Sequence, residues 1–165
     1  MSMIGRLLRV PADKVRGLPP SSQPQLEQLY PDDGCESDPE KSLDMDKSWH
    51  LIHFLLTGSA WGGEGPVANA ILGGKEIVDT DAGYGPFRYL SPADVQATSE
   101  ALAEVDTNSL WSRFDAKQVS EADIYTSPWT GDDPEREYIA QNYMALRNFY
   151  SSAAAAGDGM LLYIS

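Results

Sequence analysis

The stretch LDMDKSWHLIHFLLTG, Leu43 to Gly58, decides what kind of chain this is. Met45, Trp49, Ile52 and Leu56 recur at spacings of four, three and four, which lines them up on one face of a helix. Leu51, Phe54 and Leu55 cover much of the remaining circumference. A helix that is apolar nearly all round belongs in a protein interior. Asp44 or Asp46 is placed to cap its first turn. Thr57-Gly58 is placed to end it, because glycine enters the left-handed region without a Cβ penalty.

On the N-terminal side lies PDDGCESDPEK, Pro31 to Lys41, an acidic loop too short to separate two domains. Before it, Gln23–Tyr30 reads as a short helix, and Gly17 to Ser22 as a breaker in which two prolines stop any helix. A short helix is predicted over Ala12–Arg16. Met3–Val10, with Ile4, Leu7, Leu8 and Val10 bounded by Pro11, is predicted to be a strand.

On the C-terminal side, the small-residue loop SAWGGEG leads to Pro66, well suited to open a short helix through Leu72 that Gly73-Gly74 closes. Lys75–Val78 reads as a short strand, Asp79–Gly85 as a turn-rich loop and Phe87–Leu90 as an extended segment. Ser91-Pro92, with Asp94 three residues after the cap, predicts a helix to about Glu104 with Val95, Thr98, Leu102 and Val105 inward. Two short helical pieces follow near Asn108–Phe114 and Ala116–Glu121. The longest helix opens at Asp132-Asp133-Pro134-Glu135, where acid meets the positive end of the helix dipole. Tyr138, Ile139, Tyr143 and Leu146 recur along it, and Gly157 ends it. Met160–Ile164 is a continuous apolar run, predicted as a strand buried on both faces. The elements predict one α+β domain spanning residues 1–165, in which several helices cover a small sheet that includes both termini.

The formal net charge of −13, from 25 Asp and Glu against 12 Lys and Arg, argues against a nucleic-acid binder, whose affinity depends on cations meeting phosphates. The same field is repelled by anionic membranes and draws in a basic surface. No apolar run approaches the 18 or so residues of a membrane helix. Arg6 and Arg9 interrupt what a signal peptide would keep apolar, so a cytoplasmic setting is expected. Cys35 is the single cysteine, so no internal disulfide forms, and no Lys or Arg stands beside it in sequence to stabilise a thiolate.

Few residues carry recognisable chemistry. His50 and His53 are the only histidines, three apart, with Asp46 four residues before His50. A metal site needs further ligands, and no HExxH pattern or second cysteine supplies them, so neither a metal nor another cofactor is expected. His53 is expected to be buried and hydrogen-bonded, with His50 at the margin. A helix-borne imidazole nonetheless suits proton transfer, which leaves His53 a weak candidate for a catalytic base. Gly58 to Gly65 lacks the GK[ST] ending of a phosphate loop and follows a helix instead of a strand. Asp79-Thr80-Asp81 starts like a calcium loop but puts Leu90 where the closing glutamate belongs. In Tyr84-Gly85-Pro86-Phe87-Arg88-Tyr89, two tyrosines flank an arginine able to pair with a carboxylate or stack on a ring. The simpler expectation there is that Phe87 and Tyr89 enter the core while Arg88 pairs with an acid.

Taken together, Met3-Ile4-Gly5, Leu43–Gly58, the YGPFRYL segment Tyr84–Leu90 and the C-terminal helix resemble the YfbM-like family of small bacterial proteins of unknown function. The most specific part is D-K-x-W-x-x-[LI]-H-[FY]-x-L-T-G, matched at Asp46, Lys47, Trp49, Ile52, His53, Phe54, Leu56, Thr57 and Gly58. Members of that family usually carry I-Y-P-x-x-W before the last helix. Ile124-Tyr125-Thr126-Ser127-Pro128-Trp129 keeps the tyrosine and tryptophan and displaces the proline. The resemblance implies a compact α+β fold and brings no activity with it. It singles out Trp49 and His53, and directs attention to a pocket between their helix and the YGPFRYL segment.

Two functions compete on these residues. The first is a non-catalytic binding or protein-interaction domain that engages a basic protein partner, as toxin-immunity proteins do, with Trp49, His53, Tyr84, Arg88 and Tyr89 as candidate binding residues. The alternative is a small-molecule enzyme using His53 as acid/base, with Tyr84, Arg88 and Tyr89 holding an anionic substrate. The enzyme requires His53 to line a cleft within reach of Arg88.

Overall fold

A computed structural model describes residues 2–15, 38–126 and 128–165. The helix read over Gln23–Tyr30, the break at Gly17 to Ser22, Cys35 and most of the acidic loop lie outside the described residues.

Among the described residues, five strands form one antiparallel sheet: β1 (Gly5–Val10), β2 (Ser42–Asp44), β3 (Lys75–Glu76), β4 (Arg88–Leu90) and β5 (Gly159–Ile164), in the order β2-β1-β5-β4-β3. The two terminal strands pair along their whole length, from Gly5 opposite Ile164 to Val10 opposite Gly159. This central position buries every residue of β5, as its unbroken apolar run requires. Strand β2 departs from the expectation that Asp44 or Asp46 caps a helix there. Three residues are too few for a periodicity to show, and β2 exists because Leu43 pairs with Leu7. The segment expected at Lys75–Val78 keeps ladder geometry only over Lys75–Glu76.

The helices among the described residues are α1 (Ala12–Val15), α2 (Trp49–Thr57), α3 (Asn69–Leu72), α4 (Pro92–Ala103), α5 (Thr107–Trp111), α6 (Ala116–Glu121) and α7 (Asp133–Ala156). None is long and apolar enough to cross a membrane, among the described residues. Alternation along the strands divides the core in two. Leu7, Leu90, Met160, Leu162 and Ile164 share one cluster with the apolar sides of α2, α4 and α7. Leu8, Val10, Ile77, Tyr89, Leu161 and Tyr163 form a second cluster on the opposite sheet face, with Ala82 and Phe87 against it.

The caps follow local chemistry. Ser91, Asp106, Asp115 and Asp132 each accept a backbone N–H from three residues on, at 2.7–3.2 Å, opening α4 to α7. At the start of α2 the expectation fails. A 3-10 turn over Asp46–Ser48 leads into it, and its N-cap, Ser48, makes no side-chain cap bond. Asp44 accepts the N–H of Asp46 instead, and the Asp46 carboxylate accepts the Tyr138 hydroxyl at 2.8 Å. Both carboxylates serve the turn from β2 into the helix. The other end is as read: Gly58 is left-handed at φ 75°, its N–H bonded to the Phe54 carbonyl. Arg113 donates to the carbonyl of Leu55 at 3.0 Å, placing a cation at the negative end of α2.

Candidate functional site

Helix α2 is buried along most of its length, with Trp49, Leu51 and Ile52 without exposed surface. Trp49 lies against β1 at Gly5, where a Cβ would fall 2.5 Å from the Trp49 Cβ, so only glycine lets strand and helix approach this closely. The indole N–H of Trp49 donates to the Met3 carbonyl at 3.1 Å, which holds the N-terminal strand to the helix.

One turn apart, the two histidines are both buried, at 1% exposure each. His53 Nε2–H donates to the Gly62 carbonyl at 2.7 Å, while its Nδ1 is buried with no hydrogen-bond partner. Burial pulls its pKa down to about 4, partly offset by the Gly62 bond. His50 is expected at the margin and lies inside. Its Nδ1 accepts the Tyr125 N–H at 2.9 Å, so Nε2 carries the proton and donates to the Ala60 carbonyl, also at 2.9 Å. Burial lowers this pKa too, against the smaller raising influences of the Ala60 bond and the Asp123 charge. Each imidazole is a neutral tie between α2 and a loop.

The remaining candidates from the sequence do not gather around His53. Arg88 lies opposite Leu162 in the ladder and reaches Glu76 at 3.9 Å. Tyr89, the next residue on β4, points to the other sheet face, buried among Leu8, Leu161 and Tyr163. Phe87 stacks there on Tyr163 with ring centroids 4.6 Å apart. Tyr84 is partly exposed in the preceding loop, its N–H on the Ile164 carbonyl. Among the described residues no hydrogen bond or ion pair connects His53 with any of them. The pleat of β4 sends Arg88 and Tyr89 to opposite sides, so one pocket cannot use both.

The open site lies on the other side of Trp49. His50 stacks on Trp49 with centroids 4.6 Å apart and planes 11° from parallel. Trp61, from the glycine-rich loop after α2, sits 4.5 Å from the His50 ring, and Tyr125 lies 6.1 Å from Trp49. Trp61 is 64% exposed, unusual for the largest apolar side chain. Met3, His50, Trp61, Asp123, Ile124 and Tyr125 enclose a cavity of about 230 Å³. Tyr125 is fixed at three points: its hydroxyl accepts the Met3 N–H, its N–H meets His50, and its carbonyl accepts the Trp129 indole N–H. Asp123, exposed at the end of α6 with φ 55°, makes no salt bridge to a described residue.

A second hollow, of about 420 Å³, lies between α7 and the β1–β2 edge. Arg9, the one cation among its described lining residues, is held at 2.7 Å by Asp158. Among the described residues, no cluster of His, Cys, Asp and Glu is arranged to hold a metal ion.

Sequence reasoning missed Trp61, Asp123 and Tyr125 as a group. The available signal was a lone tryptophan among Gly and Ser, where no periodicity asks for an apolar residue. Loops of that kind carry binding residues more often than core residues.

Comparison with known proteins gives a consistent result. A family described as Domain of unknown function (DUF1877) matches residues 1–163. Protein YfbM of Escherichia coli (strain K12) is 25% identical over 156 residues, 92% of this chain and 90% of that protein. The crystal structure of YfbM, described as a protein of unknown function, matches with a TM-score of 0.66 at 23% identity, covering 98% of this chain and 99% of that one. That likeness is one of fold.

Proposed function

The chain belongs to the family described as Domain of unknown function (DUF1877), and we propose that it is a non-catalytic binding domain that engages a basic partner. The observation that carries this reading is the state of the two imidazoles. Both are buried at 1% exposure and tied by backbone groups of the neighbouring loops; His53 lines neither hollow described above, and His50, which borders the smaller one, has both ring nitrogens engaged. A proton-transfer group needs contact with substrate, directly or through one water. His53, at 1% exposure and with a pKa of about 4, has neither the access nor the basicity for that task.

Charge supplies the rest. An excess of 25 acids over 12 bases attracts a cationic surface and speeds its encounter, an effect that weakens as salt screens it. In this proposal Trp49 serves binding from beneath, by holding the His50 ring against which Trp61 packs. A bacterial setting is part of the proposal, supported by the Escherichia coli relative.

The test is capture from bacterial lysate on the immobilised chain, at low and moderate salt, beside an unrelated domain of equal net charge. The expected result is a basic protein held by this chain, absent from the control and released as salt rises. Failure to retain any salt-sensitive partner would overturn the reading.

A further inference from the structure

We propose that the cavity bounded by Met3, His50, Trp61, Asp123, Ile124 and Tyr125 receives the guanidinium of an arginine side chain presented by the basic partner. The inference rests on the binding reading above and gives that reading an address.

Size comes first. Pockets for drug-sized ligands and cofactors run from roughly 300 to 1,000 Å³. At about 230 Å³ this cavity suits one long side chain better than a nucleotide or a folded metabolite.

Its chemistry selects the side chain. Trp61, His50 and Tyr125 are among the lining residues, and no Lys or Arg among the described residues lines the space. Aromatic faces are negative, and tryptophan attracts a cation most strongly. His50 adds no opposing charge, because accepting the Tyr125 N–H on Nδ1 and donating from Nε2 to Ala60 commits the ring to its neutral form. Asp123 stands at the margin with its carboxylate outside any salt bridge to a described residue. A planar guanidinium stacks flat on an aromatic face while its edge forks onto a carboxylate, whereas an ammonium offers a point charge with neither the flat stack nor the fork. One wall is also held in place before binding: Tyr125 is tied to Met3, His50 and Trp129. Such preorganisation lowers the ordering cost of binding. Trp61 remains 64% exposed, so the partner would cover a large apolar surface.

The experiment is a chemical-shift titration of the full chain with capped Gly-Arg-Gly, following the backbone amides of residues 60–62 and 123–125. Capped Gly-citrulline-Gly serves as the neutral isostere. Saturable shifts at those amides are expected, with citrulline roughly tenfold weaker or worse. Trp61→Ala and Asp123→Asn are each expected to weaken binding by about fivefold or more. Both positions are exposed, and asparagine accepts the left-handed backbone of Asp123, so both variants should fold. Equal binding of the citrulline peptide, or wild-type binding by both variants, would overturn the assignment. Binding of methylguanidine as tight as the peptide would assign the cavity to a free cation and overturn the side-chain occupant. Lysate capture separates the two readings. A basic partner held equally by wild type and both variants sinks the cavity and leaves the acidic surface in place. Arginine binding at the cavity with no basic partner retained sinks the partner and leaves the cavity.

Discussion

Two aromatic regions of this protein look alike in sequence and end in opposite states. On the far face of the sheet, Phe87, Tyr89 and Tyr163 pack into a closed apolar cluster with Leu8, Val10 and Leu161. Beside α2, Trp49, His50, Trp61 and Tyr125 also stack, yet one member of the stack is 64% exposed over a cavity. The difference is one of support. Tyr89 and Tyr163 ride on strands, and the pleat hands alternate side chains to an enclosed face. Trp61 and Tyr125 ride on loops pinned by polar contacts to α2, and loops come to rest at the surface. Aromatic content alone therefore does not distinguish a core from a binding surface. The element that carries the ring does.

The largest effect is expected at the buried floor of the open region. Trp49→Ala should cost roughly 3–5 kcal/mol in denaturant unfolding, from lost packing and the cavity left behind. A variant as stable as wild type would mean that the floor is not structural.

Acid should come next, and should act on the α2 side. The folded pKa of His53 is about 4, below the ordinary 6.5, so the unfolded chain binds protons in that window that the folded chain refuses. The stability conferred by the neutral ring is fully present above pH 6.5. It falls as the pH drops from 6.5 towards 4, by roughly 3 kcal/mol for a shift of this size. His50 shifts in the same direction and adds to the fall. Urea unfolding across pH 4–7 would measure it, and His53→Gln should flatten much of the slope. A slope unchanged by that substitution would place the proton uptake elsewhere.

Gly5→Ala should cost about 1–3 kcal/mol by overpacking against Trp49, read as a lowered thermal midpoint. At the far face the sign reverses. The Tyr89 hydroxyl is buried with no hydrogen-bond partner among the described residues, so Tyr89→Phe should leave stability unchanged or raise it by up to about 1 kcal/mol. A clear loss would reveal a partner for that hydroxyl. The smallest stability effect is expected at Trp61→Ala, below about 1 kcal/mol, because so much of the side chain already faces solvent. Paired with its expected loss of arginine binding, that result would set the open region apart from the closed one.

Much of the fold was legible along the chain. The 3.6-residue recurrence of α2, α4 and α7 gave their inward faces, and Ser91, Asp132, Gly58 and Gly157 marked ends that the structure keeps. The apolar run of β5 announced a central strand. The Leu43–Gly58 pattern marked α2 as the core helix, and Trp49 and His53 as buried. The pocket expected between α2 and the YGPFRYL segment was the part that sequence proximity and residue type could not place. Its residues divide between two faces of the sheet, and His53 turns to Gly62.

Along the chain, local pattern alone fixed the long helices, the terminal strands and several of their ends, which helix faces are apolar, and that the molecule is strongly acidic. These properties depend on residues within a turn or two of one another, or on composition. Only the tertiary structure decided that His50 would bind Tyr125, 75 residues away, and that Trp61 and Asp123 would border the same cavity. Loop–loop contacts of that range leave no periodic trace in the chain. They are fixed by where α2 sets its imidazole and by the two backbone groups that answer it.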